Sequence, residues 1–169
     1  MKRFLVATAA ALLTAGVGVS AASAQTNRVR VEQSGYDNGA AAVQNGERNG
    51  AVVVQGGQGH YARGVQRGHN NFLRMDQYGT RNHVTTAQRG SSNYAVTAQE
   101  GRRMRADTLQ TGVGNISGIA QIGSGHTAVA DQDGVDNTSA IIQTGSGQDA
   151  RVRQSGEGNI SVVIQGGYD

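Results

Sequence analysis

Gln33-Ser34-Gly35-Tyr36-Asp37-Asn38-Gly39-Ala40-Ala41-Ala42-Val43-Gln44 holds one full period of a pattern that runs through the chain. Glutamine returns every eleven residues without insertion or deletion: Gln33, Gln44, Gln55, Gln66, Gln77, Gln88, Gln99, Gln110, Gln121, Gln132, Gln143, Gln154 and Gln165. A glycine stands two residues after each of them, from Gly35 to Gly167. Six residues before each glutamine lies a second polar row. It reads Asn27, Asn38, Asn49, His60, Asn71, Asn82, Asn93, Met104, Asn115, His126, Asn137, Gln148 and Asn159. A fixed period of this kind is the mark of a repeat architecture, so the shape of one eleven-residue unit decides the fold.

An eleven-residue apolar repeat can wind a right-handed coiled coil. Glycine argues against that here, because every unit carries at least one and each costs a helix about 1 kcal/mol. The alternation points to a strand instead. The second and fourth positions after the Asn row are uncharged, as in Ala40/Ala42, Leu73/Met75, Ala128/Ala130 and Ala150/Val152. The positions between them take charges, among them Arg63, Arg74, Asp76, Asp107, Asp131, Arg151 and Arg153. Period-two alternation over five to seven residues is the pattern of a strand with one face buried.

Each unit is therefore expected to be a strand from just after the Asn to just after the Gln, followed by a tight turn. Gly35-Tyr36-Asp37-Asn38 and Gly134-Val135-Asp136-Asn137 supply typical turn residues. Two units close one 22-residue coil. The predicted fold class is all-β: a β-solenoid of about six and a half coils with two facing parallel sheets, roughly 30 Å tall at the usual strand spacing. Buried amides are costly unless paired. In a stack, each Gln and each of the nine Asn can donate to one neighbour and accept from the other, forming ladders along the axis.

Residues 1–24 read as a signal peptide. Lys2 and Arg3 precede an apolar run over residues 4–19, and Ala22-Ser23-Ala24 is a small-residue cleavage site. Residues 25–169 form the repeat domain, and no later segment is apolar enough to span a bilayer. With Lys2 and Arg3 removed, 13 Arg face 12 acidic residues, leaving a net charge of +1. That balance, with no basic run interleaved with aromatics, excludes nucleic acid as an expected partner. The chain has no Cys, so neither a disulfide nor a thiolate metal site is expected.

No catalytic, cofactor or metal site emerges from the pattern. His60 and His126 share a slot but lie three coils, about 14 Å, apart, too far to hold one ion. His69 falls in a turn and His83 faces outward, and histidine in the Asn row is expected to act as another hydrogen-bonding residue. Arg102-Arg103-Met104-Arg105 is the one concentrated charge, read as a solvated turn that discourages sideways sheet association. The glycines belong to the repeat and not to a phosphate loop. Asp76, Asp107 and Asp131 take outward or turn positions, without the cluster of inward acids that a carbohydrate-cleaving β-helix needs. The outward row that includes Arg28, Tyr61, Thr127 and Asp149 is too irregular for an ice-binding threonine face, and no fixed Asp row suggests calcium.

The unit Q-x-G-x-x-N-x-A-x-x-x-Q, seen at residues 33–44 and again at 88–99, resembles the curlin repeat of bacterial curli fibres. The resemblance covers residues 27–167. It implies a secreted, non-enzymatic subunit of an extracellular amyloid fibre, with a role in biofilm matrix and surface adhesion. It also implies self-association as a homopolymer, contacts with another curlin subunit, and export and assembly proteins as partners. The Gln row and Asn27, Asn38, Asn49, Asn71, Asn82, Asn93, Asn115, Asn137 and Asn159 map onto the family's ladder positions. Three features depart from the family pattern: no Gly-rich segment precedes Asn27, Asn opens strands in both halves of a strict 22-residue coil, and His60, Met104, His126 and Gln148 break the Asn row. The second of these leans toward the minor, nucleating subunit or a divergent lineage. A monomeric secreted β-solenoid adhesin is the reading of a different class.

Overall fold

A computed structural model describes residues 26–167; the leader expected over residues 1–24 lies outside them. Thirteen strands follow one another without any helix among the described residues. They are β1 (Arg28–Tyr36), β2 (Gly39–Glu47), β3 (Gly50–Gln58), β4 (Tyr61–His69), β5 (Phe72–Thr80), β6 (His83–Ser91), β7 (Tyr94–Arg102), β8 (Arg105–Val113), β9 (Ile116–Ser124), β10 (Thr127–Val135), β11 (Thr138–Ser146), β12 (Asp149–Glu157) and β13 (Ile160–Gly166). Odd strands form a seven-stranded sheet and even strands a six-stranded one, each in sequence order. All pairings are parallel and join residues 22 apart, so Gln55 lies over Gln33 and Gln132 over Gln110. The chain is a β-solenoid of six and a half coils, as the period requires.

The second, fourth and sixth residues of each strand point between the sheets. In the middle of the stack they are fully buried, as Ala51, Val53 and Gln55 are in β3. The interior is thin, and its side chains compensate for one another. Leu73 and Met75 are the largest inward pair, and Gly64 faces them in β4. A Cβ at Gly64 would lie 3.0 Å from a Leu73 methyl, so the missing side chain makes room for the large ones.

The strands are longer than the alternation predicts. All but β13 run through the glycine and one residue beyond it, leaving two-residue connections such as Asp37-Asn38. The reason is that the glycines themselves stack in register, as in Gly112↔Gly134, so the ladder continues through the bend. Gly112 has φ +115°, and a Cβ there would overlap the carbonyl oxygen of Gly134. Both the backbone angle and the close approach of the next coil require glycine.

Candidate functional site

The inward Gln rows form two ladders. In one, Nε2 of Gln33, Gln55, Gln77, Gln99, Gln121 and Gln143 donates to Oε1 of the glutamine one coil later, ending on Gln165. In the other, Gln44, Gln66, Gln88, Gln110 and Gln132 do the same, ending on Gln154. The links are 2.6–3.0 Å long and all point from earlier coil to later coil. An amide nitrogen has two hydrogens. The second reaches across the interior to a backbone carbonyl of the opposite sheet, as Gln99 does to His83 O at 3.2 Å and Gln121 to Arg105 O at 3.0 Å. Each glutamine from Gln44 onward thus ties two coils and two sheets together.

The Asn row sits at the two bends of the coil, and the bends differ. Before the odd strands stand Asn27, Asn49, Asn71, Asn93, Asn115, Asn137 and Asn159, with no other residue type among them. Each Oδ1 below the last accepts the backbone N–H of the next asparagine in the row, as from Asn71 to Asn49 at 3.1 Å and from Asn137 to Asn115 at 3.1 Å. Each Nδ2 below the last donates onward to a stacked glycine carbonyl, for example Asn115 to Gly134 at 3.0 Å. Before the even strands stand Asn38, His60, Asn82, Met104, His126 and Gln148. All four departures from Asn fall on this second bend.

The histidines do half of the asparagine's work. His60 Nδ1 accepts the N–H of Asn82 at 3.2 Å, and His126 Nδ1 that of Gln148 at 3.2 Å. The proton therefore sits on Nε2, which lies 3.2 Å from Gly56 O and 3.1 Å from Ile122 O respectively. Those carbonyls belong to the histidine's own coil, so the forward link to the next coil is lost. Met104 is buried and offers only a thioether, a weak acceptor, to the coil above.

Among the sequence-predicted ladder residues, ten glutamines from Gln55 to Gln154 are buried. So are Asn49, Asn71, Asn82, Asn93, Asn115 and Asn137. Gln44, Gln165, Asn27 and Asn38 are half-buried, and Gln33 and Asn159 are exposed, because they lie on the end coils. His69 ends strand β4 and does not lie in a turn. His83 faces outward and stacks on Tyr61 at 4.8 Å. Its pKa is pushed down, first by burial and then by the Arg105 charge one coil on, with Asp107 acting the other way.

The Arg102–Arg105 cluster is not one solvated turn: Met104 turns fully inward and splits it, and Arg105 opens β8 and pairs with Asp107 at 2.7 Å. Outward carboxylates lie beside guanidinium groups, as Arg30 with Glu32 and Arg74 with Asp76. No group of three metal-ligating side chains occurs among the described residues. No helix among them is long and apolar enough to cross a membrane.

Neither the cross-sheet amide bonds nor the concentration of all departures on one bend follows from an eleven-residue reading. The second was present in the sequence at a 22-residue period. The comparisons add no relative: no known family model matches the chain, and no curated protein does. The architecture is consistent with a curlin-like solenoid, and it is the geometry alone that carries the functional argument.

Proposed function

We propose that this chain is a non-catalytic structural subunit of a curli-like extracellular fibre, exported after loss of residues 1–24 and contributing to biofilm matrix and surface adhesion. The observation that supports this is the state of the end coils. Inside the stack every coil is covered by its neighbours, and each buries the same amides in the same register. At the ends the same surface is open: Gln33 and Asn159 are exposed, and the inward-pointing Val29 is 47% exposed. Open parallel strand edges with unpaired backbone groups are templates for another strand. No proline and no helix covers either edge among the described residues.

The direction of the Gln links sets the way copies join. Gln154 and Gln165 end their rows as acceptors, from Gln132 and Gln143, and among the described residues no later glutamine oxygen takes a forward hydrogen from their own amides. A second copy continuing the stack receives those amide hydrogens on its own glutamine oxygens, so assembly runs head to tail. Another curlin subunit with the same amide rows fits the same ends, which cross-seeding would detect.

The test is incubation of purified residues 25–169 at neutral pH. Polymerisation after a lag, a lag shortened by seeds, and fibre diffraction at about 4.7–4.8 Å along the axis are expected. A chain that stays monomeric for days at micromolar concentration overturns the fibre reading and favours the monomeric adhesin.

A further inference from the structure

The two outer faces of the solenoid differ in chemistry. On the seven-stranded sheet, strands β7, β9, β11 and β13 turn four columns of side chains outward. Glu100 is the one charged residue in those columns. The rest are aliphatic, small or hydroxyl-bearing, and several large ones are well exposed: Ile116 47%, Ile122 52%, Ile142 40% and Val162 60%. At the same levels the six-stranded sheet turns out Arg105, Asp107, Asp131, Asp133, Arg151 and Arg153.

We propose that the apolar outer face of β7, β9, β11 and β13 is a docking surface for a second copy of this chain, joining solenoids side by side. Shape supports a second copy. The middle of the face is low, with Ala98, Gly118, Ala120 and Ala140, and isoleucines stand beside it. A Cβ added at Gly118 meets nothing within 4 Å, so the dent is open and will take a side chain. An opposing copy related by a two-fold axis places its own isoleucines over these small residues, as in the dry interdigitated contact between paired sheets. The charged faces then remain in water.

Area sets the strength. Four strands about 4.8 Å apart and seven residues of about 3.3 Å give a patch of about 440 Å² per copy. Two copies bury about 900 Å², just under the roughly 1,000 Å² expected of a lasting pair. A single subunit therefore pairs weakly. Subunits already stacked in a filament present the patch repeatedly, and linked weak contacts add up to firm lateral pairing. That second statement rests on the fibre reading above.

The experiment compares wild type, Ile122→Lys and Ile142→Lys, with Leu109→Lys on the six-stranded sheet as the equally charged control. Filament width is read by electron microscopy, growth by thioflavin fluorescence, and strand content by circular dichroism. Wild type and Leu109→Lys should form laterally joined filaments. Each face variant should keep its strand content and grow within about twofold of the wild-type rate, as single filaments. Joined filaments in the face variants, or single filaments in wild type, overturn the proposal and leave the fibre reading intact. If no filaments form, the fibre reading fails, and sedimentation of the monomer decides: a concentration-dependent dimer lost in both face variants supports the docking surface, and a monomer throughout overturns it. Binding of wild type to neutral phosphatidylcholine vesicles without lateral pairing also overturns it, in favour of a lipid surface.

Discussion

The two bends of the coil are built from the same repeat yet bond along the axis unequally. The bend before the odd strands has asparagine at every level, and its side chains link coil to coil through both oxygen and nitrogen. The bend before the even strands has two histidines that link once and a methionine that offers no strong acceptor. The solenoid tolerates substitution on one bend because the other bend and the two Gln ladders hold the coils in register. Redundancy of this kind is what a stacked repeat provides, since each coil contacts only its neighbours and no single rung carries the whole fold.

The largest effect is expected at Asn115. Asn115→Ala leaves the N–H of Asn137 and the carbonyl of Gly134 without their side-chain partners. Each unsatisfied buried group costs on the order of 1–3 kcal/mol, so a loss of about 3 kcal/mol is expected in chemical denaturation. A loss below about 0.5 kcal/mol would mean that the complete row is decorative.

Met104→Asn sharpens the comparison from the other side. The substitution restores an acceptor for the coil above and a donor toward the stacked glycine carbonyl, as Asn82 supplies at Gly101 with 3.1 Å. Stabilisation of about 1 kcal/mol is expected, two added hydrogen bonds at about 1 kcal/mol each less the apolar burial lost with the methionine. A destabilised variant would show that Met104 packing outweighs what the amide gives.

The smallest effect lies on the outer face of the six-stranded sheet. His83 has its pKa lowered by burial and by Arg105. A histidine depressed in the folded state binds its proton more readily when unfolded. Its contribution is therefore fully present above the unfolded value of about 6.5 and is lost as pH falls below it. Stability should decline on acidification through that window, and His83→Thr should remove that part of the decline. The group is only half-buried and sits on an outer face, so a shallow slope is expected.

The coil was legible in the sequence because its cause is local and repeated. The alternation Leu73/Met75 against Arg74/Asp76 fixes which side is buried, and the 22-residue pairing of Gln55 with Gln33 follows from the period. The ends of the strands were not legible, because the pairing of Gly112 with Gly134 depends on how closely two coils approach, which no single unit reveals. The ladder positions could be named, but the reach of Gln99 to His83 O could not, since it depends on the gap between the sheets. The inward turn of Met104 was hidden by the arginines around it: its neighbours suggest a charged turn, and only its slot in the Asn row places it inside.

Inward amides, and not their outward neighbours, bind coil to coil. Gln110 and Thr111 test it side by side in the middle of the stack. Gln110 Nε2 donates one hydrogen to Gln132 and shares the other between Tyr94 O and Asn115 O, and its Oε1 receives Gln88. The account predicts that Gln110→Ala lowers unfolding free energy by about 3 kcal/mol, with several buried partners left unsatisfied, while Thr111→Ala stays within about 0.5 kcal/mol, as surface changes do. Equal losses at the two positions, measured by denaturant unfolding of residues 25–169, would contradict it.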